Sequence, residues 1–280
     1  MLPIIKAENE RGEVLDLSNS PRYQAMLTGT GSPAATINRT KVGVADGTRY
    51  NSATVGERNL LLTIYILRDI SRARMNLYRF FSTKSRVKIY YQTESLNVYA
   101  EGYVETAEIN PWEQNQHMQV SIICPMPFWR DVAETYSDAS NVSALFEFPF
   151  DIEAEGVELS SIDPTASTII ENDGTVAAGV TFELLATVQS KNPRIYNLST
   201  GEFIGFEMEL QAGDRLLINT TNGSKSAVHI RDGLRSNCIN TVMVGSTWLQ
   251  MAIGLNEYSY TMDEGECTLG IYHTNMYTGV

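Results

Sequence analysis

The sequence is poor in the residues that build disulfide frameworks and membrane spans. Its three cysteines, Cys124, Cys238 and Cys267, are an odd number and lie far apart. They fit core packing or a reducing compartment better than a set of disulfides. No apolar run approaches the roughly 20 residues of a membrane-spanning helix, and the apolar start is too short for a secretory signal. We therefore expect a chain that inserts into no membrane and folds in the cytoplasm.

The sequence also lacks the excess of basic residues that a nucleic-acid-binding protein needs. Its formal net charge is -12, which argues against a phosphate-binding surface as its main function. One local cluster of basic residues could form such a site, although charges of this kind more often make a solvated helix face; its members are Arg68, Arg72, Arg74, Arg79, Lys84, Arg86 and Lys88. We expect no stable binding of nucleic acid.

Patterns of catalytic residues are missing as well. The three histidines, His117, His229 and His273, lie far apart in the sequence, so each is expected to be a surface or strand residue and not a metal ligand. Residues 29–34 match a dinucleotide-binding fingerprint by letter, but Pro33 and the missing strand-to-helix context favour a loop. Phosphate-binding loops and nucleophile elbows do not occur. The sequence therefore predicts no catalytic residues, no cofactor and no metal site, and a protein that is not an enzyme.

What the sequence does contain is enough apolar residues, 43% of 280, for two well-filled domains. A break falls after the alternating stretch 117–124, because Pro125 and Pro127 each remove a backbone donor. Two large rings, Phe128 and Trp129, follow at once. We interpret these four residues as a domain junction, with one domain at 1–132 and a second at 133–280.

The pattern of the first domain predicts an α+β fold. Strands are indicated at 13–17, 23–28, 59–67, 86–92, 96–108 and 117–124. One helix follows Asp69, which is expected to cap it, with a stripe made by Ile70, Ala73, Leu77, Phe80 and Phe81. The polar stretch 29–50 reads as a long loop of the kind that packs on a neighbouring molecule.

The second domain reads as an all-β sandwich. Short alternating stretches recur every 8–12 residues or so, separated by turns rich in Gly, Asn and Asp. They include Phe146, Phe148 and Phe150, then Val180, Phe182 and Leu184, and later Leu269 and Ile271. The expected fold class is mainly β with one helix.

Tyrosine is abundant, and several tyrosines fall opposite the predicted core face of their strands. Tyrosine offers a large contact area with few rotors and a hydrogen-bonding tip, which suits a protein–protein surface. Stretch 59–67 is apolar on both faces, so we expect a partner or helix to cover one of them. The expected subunit interface consists of Arg58, Leu61, Tyr65, Tyr90, Tyr99 and Tyr103.

With both domains laid out, the chain resembles the distal tail protein family of long-tailed bacteriophages over nearly its whole length. The segments that carry the resemblance are mostly turns and strand ends, in a fixed order. They are residues 46–47, 56–62, 78–81, 124–129, 170–174, 193–197, 212–220, 246–250, 254–258 and the Tyr-rich end.

The resemblance implies a ring-forming N-terminal domain and a galectin-like C-terminal β-sandwich that points outward. It implies a homo-oligomer, a hexameric ring or stacked rings, that joins the tail tube protein to a tail-tip hub protein in the baseplate used for host adsorption. Such a protein is expected in the virion tail after assembly in the bacterial cytoplasm. Six copies at -12 each would carry -72, which suggests a ring opening lined by acidic residues.

A galectin-like fold does not by itself imply sugar binding. The lectin pattern is present only in fragments, since His229, Ile230 and Arg231 match part of it and Trp248 is followed by Leu249. A monomeric carbohydrate-binding module of two β domains remains the alternative reading. A hydrolase whose residues come together only in the fold is a third one.

Overall fold

A computed structural model describes residues 3–44, 46–139, 142–144, 160–162 and 167–280 of the chain. It divides into two compact units. Unit 1 comprises residues 1–132 and the last five, 276–280, while unit 2 comprises 133–275. The predicted second domain, 133–280, included those last five residues.

Unit 1 contains eleven strands and the one α-helix of the described part of the chain. The strands are β1 (Ile4–Asn9), β2 (Val14–Asp16), β3 (Tyr23–Thr28), β4 (Ala35–Lys41), β5 (Thr48–Val55), β6 (Arg58–Ile66), β7 (Arg86–Gln92), β8 (Asn97–Ile109), β9 (His117–Cys124), β10 (Trp129–Asp131) and, at the end of the chain, β26 (Met276–Tyr277). The helix, α1, spans Ile70–Phe80. The fold class of the described chain is therefore mainly β with one helix, as predicted.

The core of unit 1 lies inside one curled antiparallel sheet. Its strand order is β2-β1-β7-β8-β9-β6-β3, and β10 adds to β8 and β26 to β10. The edges approach each other through Leu17, whose amide donates to the Ile5 carbonyl at 3.0 Å and whose carbonyl accepts the Ala25 amide at 3.2 Å. Alternate residues of each strand face inward, because side chains alternate across a pleated strand; on β9 these are Met118, Val120, Ile122 and Cys124, all buried.

Helix α1 packs on this core with Ala73, Leu77 and Phe80. Two details differ from the sequence reading. Asp69 occupies the N-cap position but adopts a left-handed conformation and makes no capping hydrogen bond, and its carboxylate instead pairs with Arg22 at 3.3 Å. Ile70, assigned to the buried stripe, is 42% exposed. No helix of the described residues is long and apolar enough to cross a membrane.

Unit 2 is built from short antiparallel strands. They are β11 (Thr135–Asp138), β12 (Val142–Ala144), β13 (Ser160–Ile162), β14 (Ser167–Asn172), β15 (Ala178–Ala186), β16 (Ser190–Lys191), β17 (Arg194–Asn197), β18 (Glu202–Gly205), β19 (Glu209–Leu210), β20 (Arg215–Asn219), β21 (Ser226–Arg231), β22 (Leu234–Asn237), β23 (Gln250–Met251), β24 (Gly254–Thr261) and β25 (Cys267–His273), with a 3₁₀ turn at Ile239–Thr241. The predicted alternation of Phe146, Phe148 and Phe150 lies outside the described residues.

Two sheets of unit 2 face each other as a sandwich. One has the order β11-β25-β15-β20-β21-β22 and the other β14-β24-β17-β18. Phe182 of the first sheet meets Tyr258 of the second edge-on, with ring centroids 5.3 Å apart. Both side chains are fully buried, so the two sheets share one core.

Candidate assembly arm and its anchor

Strands β4 and β5 form a hairpin, the arm (residues 35–55), that contributes nothing to the core of unit 1. Ala35 pairs with Val55 and Lys41 with Thr48, with a bulge between Asn38 and Arg39. Every described residue of both strands is exposed. The stretch 29–50 is therefore not the loop that the sequence predicted. An isolated two-stranded hairpin is at best marginally stable in water, so the arm needs a surface to pack against.

The arm has two chemically different faces. Because paired residues share a face of an antiparallel ladder, Ala35, Ile37, Ala53 and Val55 lie together on an apolar face. The opposite face is polar, and there the Asn38 amide donates to the Ser52 hydroxyl at 3.0 Å. Ile37 is 58% exposed and Val55 43%. Such an apolar face is what a partner would cover.

Three successive backbone carbonyls hold the root of the arm, residues 29–31, to the body of unit 1. The carbonyls of Gly29 and Gly31 accept hydrogen bonds from the Arg58 guanidinium at 2.6 and 2.7 Å. The Thr30 carbonyl accepts from the indole of Trp129 at 3.3 Å and from the backbone amide of Val280 at 3.1 Å. The root of the arm is therefore tied to the body of unit 1 by four hydrogen bonds.

Arg58 is the centre of this anchor. It is 3% exposed, and its guanidinium also donates to the carbonyls of Pro127, at 2.6 Å, and Thr278. The central carbon of the guanidinium, Cζ, lies 5.6 Å from the centre of the Trp129 ring, which is within the range of a cation–π interaction. Burial lowers the pKa of Arg58 from its ordinary value. Four carbonyl oxygens accept hydrogen bonds from the guanidinium. No carboxylate among the described residues pairs with it, so the carbonyl dipoles stabilise its charge.

Arg58 was predicted in the subunit interface, but its side chain lies inside unit 1, where its donors are used by its own chain. Trp129 and Pro127, predicted at the domain junction, belong to the same anchor: Trp129 is fully buried and Pro127 supplies one of the carbonyls. Sequence reasoning could not have found this role, because the destination of a long side chain depends on which segments the fold brings beside it.

Four other predicted residues come together on the outer surface of unit 1. Tyr99, Tyr103, Pro125 and Phe128 line one shallow pocket of about 210 Å³, and Tyr103 is 49% exposed. Next to them, the Tyr90 hydroxyl donates to the Glu8 carboxylate at 2.5 Å. Burial and this hydrogen bond raise the pKa of Tyr90.

Leu61 and Tyr65 occupy the outer face of β6, away from the core. Leu61 is half-buried and Tyr65 is 38% exposed, with its ring 5.5 Å from that of His117. Met26, on the neighbouring strand, is 52% exposed. The cover that the sequence predicted for this second face is not supplied by the described residues of unit 1, so the face is open to another molecule.

Gly29 and Gly31 provide a matched test of the root. Gly29 has φ +81°, and a Cβ there would overlap the Asn59 carbonyl oxygen, whereas a Cβ on Gly31 would meet nothing within 4 Å. We expect Gly29→Ala to lower the free energy of unfolding by roughly 2–4 kcal/mol, from left-handed strain plus overpacking. Gly31→Ala should stay within about 0.5 kcal/mol of the parent. Urea unfolding of both variants at equal concentration measures this, and equal losses would contradict the anchored root.

The charge of the chain is divided unequally between the units. Residues 1–132 and 276–280 hold 15 Lys and Arg against 13 Asp and Glu, a formal charge of +2, while 133–275 hold 6 against 20, or -14. The suggestion of an acidic ring opening came from the charge of the whole chain. Since unit 1, the expected ring domain, is not acidic overall, that reasoning does not apply to it.

Several ionisable groups of unit 2 form ion pairs with one another. Asp214 is 3% exposed and accepts hydrogen bonds from Arg231 at 2.6 Å and His229 at 2.9 Å. The Arg231 hydrogen bond is the main reason why the pKa of Asp214 lies well below its usual value. Among the described residues, no group of three or more His, Cys, Asp or Glu side chains is arranged to hold a metal ion.

Comparison with protein families gives one match. Residues 173–277 match the model described as siphovirus-type tail component, C-terminal domain. The matched segment lies within unit 2 apart from its last two residues. A comparison with curated proteins finds no significant relative.

Comparison with solved structures gives matches over nearly the whole chain. The crystal structure of phage SPP1 Dit (gp 19.1), described as a paradigm of the hub adsorption apparatus of phages that infect Gram-positive bacteria, is 14% identical, with 97% of this chain and 98% of that chain covered and a TM-score of 0.71. The phage P2 baseplate in its activated conformation with Ca is 12% identical, with 98% of both chains covered and a TM-score of 0.53. These likenesses describe the fold of both units.

Proposed function

We propose that this chain is a Dit-like distal tail protein, a structural component of a siphovirus-type phage tail, on the basis of the family match over residues 173–277 and the fold shared with SPP1 Dit. The resemblance stated from the sequence is thereby confirmed. We infer that unit 1 closes a ring of six copies, or two stacked rings, which joins the tail tube protein to a tail-tip hub protein in the baseplate used for host adsorption.

The arm is the observation that carries this proposal. Unit 1 buries a complete set of core residues without it, yet the chain retains a hairpin with an exposed apolar face. Hydrophobic surface of this kind is stabilised only when it is removed from water. A neighbouring copy can cover it, and the open outer face of β6, with Leu61 and Tyr65, offers a second contact of interface-like composition.

We propose further that the protein has no catalytic role, no cofactor and no stable contact with nucleic acid, and that it reaches the virion tail after assembly in the host cytoplasm. Part of the basic cluster is engaged within unit 1. Arg86 pairs with Glu101 at 3.5 Å, and the Lys88 amine lies 5.5 Å from the centre of the Tyr99 ring. A galectin-like character of unit 2 stays a prediction.

The structure offers little support for the alternative function, a monomeric carbohydrate-binding module. The lectin-like fragments in the sequence were His229, Arg231 and Trp248. The first two direct their side chains to Asp214, and the Lys225 amine lies over the Trp248 ring at 5.9 Å. The side chains of His229, Arg231 and Trp248 therefore already contact other residues of unit 2.

Native mass measurement of the purified chain tests the proposal. Six copies of the 31.2 kDa chain give about 187 kDa, and two stacked rings give twice that mass. We expect one of these two species at micromolar concentration. A monomer at high concentration would overturn the ring, and a monomer that also binds glycan would establish the alternative.

A further inference from the structure

The curled sheet of unit 1 leaves a gap where one strand could still be added. Leu17 joins the two edges through its hydrogen bonds with Ile5 and Ala25. Past these bonds, β6 is the one partner of β3 among the described strands, and a groove of about 430 Å³ opens between the start of β1 and the end of β3.

Apolar residues form the floor of this groove. Ala25, Leu27 and Tyr91 line it, and all three are partly buried residues that pack against the hydrophobic core. The rim is polar, with Ser18, Asn19 and Gln24. One more strand with apolar side chains facing inward would remove these residues from water.

The free edge of β3 supplies the hydrogen-bonding groups that such a strand requires. The Ala25 amide points away from β6, to Leu17. Two residues later, Leu27 directs its N–H and C=O to the same side, because these groups alternate along an antiparallel strand. The groove therefore combines unpaired main-chain groups with pockets for alternate side chains, the chemistry of strand addition.

The arm has the properties of the missing strand. Its strand β4 is extended, and Ala35 and Ile37 stand on the apolar face. Its charge also fits, since Arg39, Lys41 and Arg49 outnumber Asp46, and the Asp16 carboxylate lies beside two rim residues, Ser18 and Asn19, from whose amides it accepts hydrogen bonds. In the single chain every described arm residue is exposed, so the arm does not fill the groove of its own unit.

We propose that strand β4 of one copy adds to the free edge of β3 in a second copy, with Ile37 seated in the groove over Leu27. This inference rests on the proposed assembly of copies and names the surface that receives the arm. Each copy then gives one arm and receives one, a head-to-tail contact that closes a ring when the rotation between copies allows it.

Disulfide trapping between two differently labelled copies tests this contact. One chain carries Leu27→Cys and a mass tag, and the other carries Ile37→Cys. The native cysteines, all buried, are kept. After the chains are mixed, assembled and mildly oxidised, we expect a tagged–untagged dimer on non-reducing gels. Asn38→Cys, on the opposite face of the arm, should give at least tenfold less of it.

Hydrogen exchange on the unmodified chain gives an independent readout. On assembly, the amide of Leu27 and alternate amides of β4 should exchange more slowly by at least tenfold. A ring that assembles but leaves these amides unprotected, and that shows no preference for Ile37→Cys over Asn38→Cys, would overturn the proposed contact and leave the ring intact. A chain that stays monomeric at every concentration would overturn the ring and this contact together.

Discussion

A chain whose arm is replaced by a short loop is expected to fold and to remain a monomer. The change removes residues 32–55 and joins Gly31 to Gly56 through a Gly-Ser linker of about four residues. The connection is short because the ends of the arm are paired, Ala35 with Val55. Native mass measurement should then show a single copy under conditions in which the parent assembles.

The expected effect is large because the arm carries apolar side chains that only assembly can bury. Covering a side chain such as Ile or Val contributes about 1.5–3 kcal/mol. Losing two of them weakens association by roughly 10²- to 10⁴-fold for each contact. Since no described residue of the arm belongs to the buried core, the melting temperature of the monomeric unit 1 should change little.

Point variants on the two faces of the arm provide the matched control. Ile37→Asp places a charge on the apolar face, whereas Asn38→Asp places the same group on the polar face one residue away. We expect the first variant to shift the ring towards monomers and the second to assemble like the parent. If the arm-deleted chain still forms a ring, contacts on the outer face of β6 are sufficient and the arm is not the main interface.

Arg58→Ala is expected to give the largest loss of stability among single substitutions at the anchor. It leaves the carbonyls of Gly29, Gly31, Pro127 and Thr278 without their common donor. Buried groups that lose a charged partner cost about 1–3 kcal/mol each and do not add fully. We expect a loss of roughly 3–5 kcal/mol in the free energy of unfolding, measured in urea at fixed concentration.

Two further variants distinguish the effect of losing the hydrogen bonds of the anchor from the effect of losing a positive charge. Arg72→Ala removes an exposed arginine of α1 that makes no ion pair among the described residues, and it should change stability by less than about 0.5 kcal/mol. Arg58→Lys keeps the charge but lacks the planar fork that reaches several carbonyls, so an intermediate loss is expected. Equal stability of Arg58→Ala and Arg72→Ala would refute the anchor.

Secondary-structure elements whose apolar residues repeat every few positions were predictable from the sequence alone. The strand at Arg58–Ile66, the strand at His117–Cys124 and the helix at Ile70–Phe80 were recognised from their periods, because burial on one face imposes alternation or a helical stripe locally. The arm was missed because its strands are polar and its alternation is interrupted by the bulge at Asn38. The strand at Ile4–Asn9 received no assignment.

Composition and local periodicity were sufficient for the class of the fold and for the elements with strong periods, and the order of the sequence segments was sufficient for the resemblance to a family of tail proteins. The folded chain was needed to show that Arg58 is an internal anchor, that the last five residues complete unit 1, and that a groove beside β3 lies open. These features join segments up to 220 residues apart. Local periodicity carries no information about such pairings, since they depend on how the whole sheet curls.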